Sequence, residues 1–393
     1  MLSNRVAWII LDKHVVNELS CPSAGERIYY YADVLNCINV TCVFFWSDGS
    51  VFTQDNKYDK RKVGELQGSY ENRRPDFALI YSWHSTSIVF GWLHNKKIPI
   101  INIADSDGHV GLKYSFNKYL RWRLRGQKNL FKKLGAFKHV LFQWLFDRNA
   151  ECKRILHNVE MSKVLTFGSP GCSNIFKQFL DNENKKDLMD RVAWLPFPTS
   201  DIYYTSALVP KKKQIIIVHN WDSDTGINKK PSTVNTVIKR VADDFPNFKI
   251  LIIGKGSGKL FQSSIDGFEN IHLIEHLDKI ELVEIMKESM IIFTASDYEG
   301  SPLVVNEFLG CGGTVVTGPL PSTVGFLGMN PESGTIAKKF DSRHLAVALR
   351  AEIELWEKGL RDPDNIAKYW RAHFSNKGIG DKIKDILERH IIS

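Results

Sequence analysis

The sequence predicts an α/β protein of two Rossmann-like domains, each a parallel sheet with crossover helices. Three observations carry this. Strand-like apolar runs alternate with helix-like runs through both halves of the chain, the pattern of repeated βαβ units. The 393 residues, 43% of them hydrophobic, suffice to fill two cores. Between the halves, residues 196–213 hold Pro196, Pro198, Pro210 and the run Lys211-Lys212-Lys213, and read as a linker. The expected division is an N-terminal domain over residues 1–205, a C-terminal domain over 206–370 and a helical terminal segment over 371–393.

In the first half, Arg5–Leu11, Val40–Trp46, Phe77–Tyr81, Ile98–Ile103 and Val192–Leu195 are apolar runs of strand length. Either His139–Leu145 or Lys163–Phe167 supplies a further strand, and Tyr29–Asn36 suits the first helix. The second half repeats the pattern with strands at Gln214–Val218, Lys249–Ile253, Ile271–Ile274, Ile291–Ala295 and Thr314–Thr317. Helices at Ser232–Asp243, Lys279–Glu288 and Pro302–Leu309 alternate with them, and Ile366–Ile392 is helical in pattern. No internal repeat is evident.

The most informative stretch is Glu299-Gly-Ser-Pro-Leu-Val-Val-Asn-Glu307-Phe-Leu-Gly310. Two carboxylates stand eight positions apart around a predicted helix start, where Ser301 is the expected N-cap and Pro302 the first helical residue. The free backbone N–H groups and partial positive charge of a helix start favour a phosphate, and flanking carboxylates can accept hydrogen bonds from sugar hydroxyls. One short segment can therefore hold both parts of a nucleotide-sugar.

This segment resembles the Glu-x7-Glu signature of family 4 glycosyltransferases, retaining enzymes of the GT-B fold. Arg191-Val-Ala-Trp-Leu-Pro-Phe-Pro-Thr-Ser-Asp201 is similar to the segment that precedes the family's second domain. Leu251–Gly258, with Gly254 and Gly256 after a strand, resembles its glycine turn, and Leu277–Met286 resembles the helix ahead of the signature. The match holds in order and spacing through the C-terminal half and is loose in the N-terminal half. The resemblance implies two Rossmann-like domains with sheets facing across a cleft, the terminal helix crossing back to the first.

It also implies roles. Glu299 contacts donor-sugar hydroxyls near the reacting carbon, Glu307 contacts the ribose, and the segment Gly300, Ser301, Leu303 and Val304 offers backbone N–H groups to the diphosphate. The family stabilises the departing diphosphate with an Arg and a Lys in the loop after the first strand of the second domain. Here that loop departs from the pattern: His219 or Asn220 stands at the Arg position, and Lys229 or Lys230 supplies the Lys. Gly254 and Gly256 permit close backbone approach to the donor. On the acceptor side, Gly25 resembles the glycine of the loop between first strand and first helix. His109, after the strand ending at Ile103, is the candidate beside donor sugar and acceptor. The implied reaction moves a sugar from a nucleotide-diphosphate donor to a hydroxyl of a glycan or lipid-linked acceptor, with retention, as in surface polysaccharide or glycoconjugate biosynthesis. An epimerase or phosphorylase on the same fold, and a non-catalytic nucleotide-sugar-binding subunit, remain open alternatives.

No cofactor or metal is expected, since the Asp105, Asp107 and His109 spacing matches no recognised ligand set. The six cysteines form no CxxC pair, which fits a reducing compartment better than a disulfide framework. Residues 1–16 are interrupted by Arg5, Asp12, Lys13 and His14, unlike a signal peptide, so the expected location is cytoplasmic. Charge is uneven: residues 1–200 hold 28 Lys and Arg against 19 Asp and Glu. The surplus peaks between Gly108 and Phe146, where nine Lys and Arg, Lys113 to Lys138, occur without one acid and interleave with aromatic and leucine residues. Such a window suits either a solvated helical face or an anionic membrane surface met through residues 113–138. No nucleic-acid-binding module is recognisable.

Overall fold

The computed structural model describes residues 5–11, 22–46, 59–62, 66–81, 88–104, 130–142, 145, 148–222 and 229–392. The chain forms two units, Met1–Thr199 with Asn376–Ser393, and Ser200–Ser375. No disulfide joins the described cysteines, Cys37, Cys42, Cys152, Cys172 and Cys311.

Among its described residues the first unit has seven strands, β1 (Arg5–Leu11), β2 (Val40–Trp46), β3 (Asp59–Lys62), β4 (Phe77–Tyr81), β5 (Ile100–Ala104), β6 (Val164–Phe167) and β7 (Val192–Trp194). They lie in the order β3-β2-β1-β4-β5-β6-β7, every neighbouring pair parallel. Strands buried on both faces favour apolar residues, and β4 and β5 are buried at every position, Asn102 being the one polar side chain in β5. The helices are α1 (Pro22–Cys37), α2 (Leu66–Asn72), α3 (Ile88–Asn95), α4 (Leu130–Phe142), α5 (Arg148–Met161) and α6 (Pro170–Asn182).

Three expectations are corrected here. Of the two alternatives for a central strand, Val164–Phe167 pairs with β5 and β7, whereas His139 lies in helix α4. The apolar spacing there serves a helical face, a period that a short run does not distinguish from a strand. Strand β3 was not expected, because Asp-Lys-Arg-Lys has no apolar residue; it forms at the sheet edge by pairing with Val43–Trp46. Finally, α1 starts at Pro22, so Gly25 stands in its first turn rather than in the loop before it. Proline suits a first helical turn because the N–H it lacks would have no intrahelical acceptor.

The second unit has six strands, β8 (Lys212–Val218), β9 (Lys249–Ile253), β10 (Ile271–Ile274), β11 (Ser289–Thr294), β12 (Thr314–Thr317) and β13 (Gly334–Ile336), in the parallel order β10-β9-β8-β11-β12-β13. The helices are α7 (Ile202–Thr205), α8 (Pro231–Asp244), α9 (Ser257–Ile265), α10 (Lys279–Glu288), α11 (Leu303–Gly310), α12 (Pro321–Met329), α13 (Ser342–Glu357) and α14 (Pro363–Phe374), followed by α15 (Asn376–His390). Ile215, Ile217, Ile250, Ile252, Ile291 and Phe293 form the sheet side of the core, completely buried against Val234, Val237, Ile238 and Val241 of α8 and Leu345, Leu349 and Ile353 of α13. Helix α10 is started by a capping box, in which Asp278 accepts from Glu281 N and the Glu281 side chain accepts from Asp278 N.

Helix α15 belongs to the first unit, where it packs on α1. A Cβ on Gly380 would lie 3.0 Å from the Ile38 side chain, and Lys382 Nζ sits 4.0 Å from the Trp194 ring centroid. In the second sheet the strand order reverses between β8 and β11. Such a switch point leaves a crevice at the strands' C-terminal ends, where open α/β sheets bind ligands.

Candidate active site

The loops that follow β8 and β11 meet at this switch point. Lys229 Nζ donates to Glu299 Oε1, and Lys230 Nζ lies 2.7 Å from Asp297 Oδ2. The Lys229 and Glu299 side chains are only 18% and 21% exposed, so this pair is shielded from solvent and screened less than a surface ion pair. Lys230 holds a left-handed conformation, φ 50°, immediately before Pro231 opens α8. The chain thereby turns into the helix with both lysines at its head.

Helix α11 starts one residue later than expected. Pro302 occupies the N-cap position with φ −77° and ψ 84°, and Ser301 makes no capping hydrogen bond. Proline disfavours helical geometry in the residue before it, which keeps Ser301 out of the helix, and proline itself has no N–H to satisfy. The first intrahelical bonds run from Val305 N and Asn306 N to Pro302 O, so the N–H groups of Leu303 and Val304 lie ahead of the helical ladder. Ser301 Oγ and both amide atoms of Asn306 are buried without a hydrogen-bond partner. At the opposite end of α11, Lys211 Nζ donates to Cys311 O at 2.8 Å and Arg371 Nε to Gly310 O at 2.8 Å. Two cations thus meet the negative end of the helix dipole, leaving the positive end open beside Glu299. Burial lowers the Lys211 amine to about 8.

The glycine turn braces the lysine loop from below. His219 N donates to Ile253 O, Trp221 N and Asp222 N to Lys255 O, and Trp221 Nε1 to Ile253 O. Gly254, at φ +124°, has no space for a side chain: a Cβ would fall 1.9 Å from His219 O. Gly256, at φ +89°, would carry its Cβ 3.0 Å from Asp222 N. The start of α9 is filled by a carboxylate of the chain itself. Gly256 N donates to Glu275 Oε2 at 2.8 Å and Gly258 N to Glu275 Oε1 at 2.6 Å, and these bonds hold the Glu275 carboxyl below the usual carboxylate range.

His219 directly follows β8, its Nε2 buried and unpartnered and its ring 5.0 Å from that of Trp221. Burial, and secondarily the Lys229 charge, push its imidazole well below the ordinary histidine value. His219 is therefore neutral at physiological pH. Asn220 is exposed, and its Oδ1 accepts from Asp222 N at 3.3 Å. Neither supplies the positive charge of an arginine, so cationic character in this loop rests on Lys229 and Lys230. Glu307 is half-buried on α11, about one turn into the helix and eight positions after Glu299. His109 lies outside the described residues, as do Asp105 and Asp107; Gly25 stands in the first unit, on α1. Among the described residues no group of three or more His, Cys, Asp or Glu is disposed to hold a metal ion.

Two partners went unread in the sequence, Asp297 and Glu275. Asp297 carries a weak signal, since it lies two residues ahead of Glu299 in the same loop. Glu275 carries none, because its role depends on β9 and β10 lying side by side.

Residues 205–371, the body of the second unit, match the family described as Glycosyl transferases group 1. No curated protein matches the sequence. Among solved structures, sucrose-phosphate synthase from Thermosynechococcus elongatus superposes with a TM-score of 0.64 at 12% identity, covering 98% of this chain and 99% of that one. A glycosyltransferase from Rickettsia africae ESF-5 does so with a TM-score of 0.65 at 13% identity, covering 98% of each chain. UDP-GlcNAc 2-epimerase from Neisseria meningitidis, bound to UDP-GlcNAc, gives 0.55 at 14% identity, again over 98% of each. These likenesses establish the fold, which is GT-B.

Proposed function

We propose that the chain is a retaining glycosyltransferase that moves a sugar from a nucleotide-diphosphate donor to a hydroxyl of a glycan or lipid-linked acceptor. The observation that carries this reading is the pairing of Lys229 with Glu299 at the sheet's switch point, beside the open start of α11. Lys229 and Glu299 satisfy one another in the structure. When a donor enters, Lys229 turns to the diphosphate, together with Lys230 and the N–H groups of Leu303 and Val304, and Glu299 is released to accept from a sugar hydroxyl. Glu307 receives the ribose. As the bond to the anomeric carbon breaks, charge develops on the departing nucleoside diphosphate, and these fixed donors stabilise it. The acceptor hydroxyl attacks the face that the diphosphate leaves.

Acceptor recognition falls to the first unit in this reading, with His109 and the chain around Gly25 as its candidates, and the product belongs to polysaccharide or glycoconjugate synthesis. A cytoplasmic setting agrees with described cysteines that no disulfide joins and with the supply of nucleotide-sugars. Among the described residues no helix is long and apolar enough to cross a membrane. Glu299→Ala and Glu307→Ala test the assignment separately. The first is expected to abolish turnover while leaving nucleotide binding intact, the second to weaken nucleotide binding. Wild-type turnover in both removes the site from the account, and donor consumption without any acceptor replaces transfer by another reaction of this fold.

A further inference from the structure

Helix α4 is unlike the helices that cover the sheets. Val140 is completely buried, yet Phe131 is 82% exposed, Leu134 54%, Phe137 38%, Leu141 36% and Phe142 58%, and Leu145 just beyond is 56% exposed. These are six of the fourteen large hydrophobic residues left exposed among the described residues, gathered in one short span. At about 100° per residue the five on α4 span an arc of roughly 140° on one side of the helix, with Lys138 inside it. By contrast α13, of similar length, turns Leu345, Leu349, Ile353 and Trp356 into the core. Isolated exposed leucines are ordinary on soluble proteins, but a contiguous apolar face marks a surface that meets something.

Charge identifies the partner. The helix carries Lys132, Lys133 and Lys138, and no Asp or Glu occurs between Gly108 and Phe146. A second copy docked on the same face would bring the same positive charge against itself, as a two-fold contact requires. A bilayer containing anionic lipid satisfies both features, taking the phenylalanines and leucines into the headgroup boundary while its phosphates meet the lysines. We propose that α4 is an interfacial anchor that docks the first unit onto an anionic membrane surface. It brings the chain to lipid-linked acceptors and does not depend on the donor reading.

The test is co-sedimentation of the full chain with vesicles of equal parts phosphatidylglycerol and phosphatidylcholine, against phosphatidylcholine alone. The expected result is binding to the mixed vesicles, weakened by salt, and at least about tenfold weaker on the neutral ones. The exposed double substitution Leu134→Ser with Leu145→Ser is expected to lose about tenfold or more in vesicle affinity while melting at the parent's temperature and keeping its nucleotide binding. Absence of binding to the anionic vesicles at low salt overturns the proposal, as does a double variant that binds them as well as the parent. A dimer in light scattering that the double variant dissolves, without vesicle binding by the parent, also overturns it and assigns the face to self-association.

Discussion

Replacing Gly254 by alanine tests how the glycine turn supports the lysine loop. The added Cβ falls 1.9 Å from His219 O and 2.9 Å from His219 C, far inside any tolerated contact, and both atoms are backbone. The loop must therefore shift by an ångström or more. At φ +124° the backbone itself costs alanine about 1–3 kcal/mol. Moving the loop sacrifices at least one of the bonds to Ile253 O and Lys255 O, at about 1 kcal/mol each. The sum is about 3 kcal/mol. For a unit the length of Ser200–Ser375 each kcal/mol lowers the melting temperature by roughly 2–4 °C, so a fall of about 6–12 °C is expected. Gly267→Ala is the matched control, since its φ of +91° is also strained for alanine but its Cβ meets nothing within 4 Å. Thermal unfolding of both variants, followed by circular dichroism, separates the clash from the backbone conformation. If Gly254→Ala unfolds no lower than Gly267→Ala, the bracing argument is wrong.

Lys211 gives a pH dependence. Its folded value, about 8, lies below the ordinary 10.5, so between these pH values the unfolded chain binds a proton that the folded chain lacks. Stability from this group therefore rises with pH through that window, by up to about 3 kcal/mol, and the cost of burying the charge is carried below it. Melting curves of parent and Lys211→Met between about pH 8 and pH 10 should diverge in the parent's favour, and parallel curves contradict the shift. Arg361→Met leaves the Glu352 carboxylate completely buried without its two-pronged partner, retaining only the bond from Thr335 Oγ1. Breaking a buried pair in this way costs about 3–5 kcal/mol, measurable as a lowered denaturation midpoint, and a variant as stable as the parent contradicts the reading.

Strands β1, β2, β4, β9, β10 and β12 were legible to the residue because each is an apolar run bounded by polar or turn residues. Strand β3 was not: four charged residues become a strand only because Val43–Trp46 offers an open edge. Gly334–Ile336 was missed for a related reason, three residues being too few for any period to register. In the candidate site, motif and loop position pointed to Glu299 and the two lysines as candidates. Their pairing was not legible, since it depends on β8 and β11 being neighbours although α8, β9, α9, β10 and α10 intervene in the chain. The Ser-Pro pair foretold a helix start to within one residue but misassigned the cap, because Pro302, at φ −77° and ψ 84°, itself takes the non-helical N-cap conformation. The neutrality of His219 depends on how deeply β8 is buried, a property no local signal carries.

In the proposed reaction the second unit binds a nucleotide-sugar through the loops after β8 and β11. A thermal-shift panel of UDP, GDP, ADP, CMP and their sugar conjugates tests it most directly, since a ligand at 100 times its dissociation constant stabilises the fold by about 2.7 kcal/mol. The account predicts a shift with one nucleotide and its sugar conjugate, lost in Glu307→Ala and reduced in Lys229→Ala. A panel without any shift, or a shift that both substitutions leave unchanged, contradicts it.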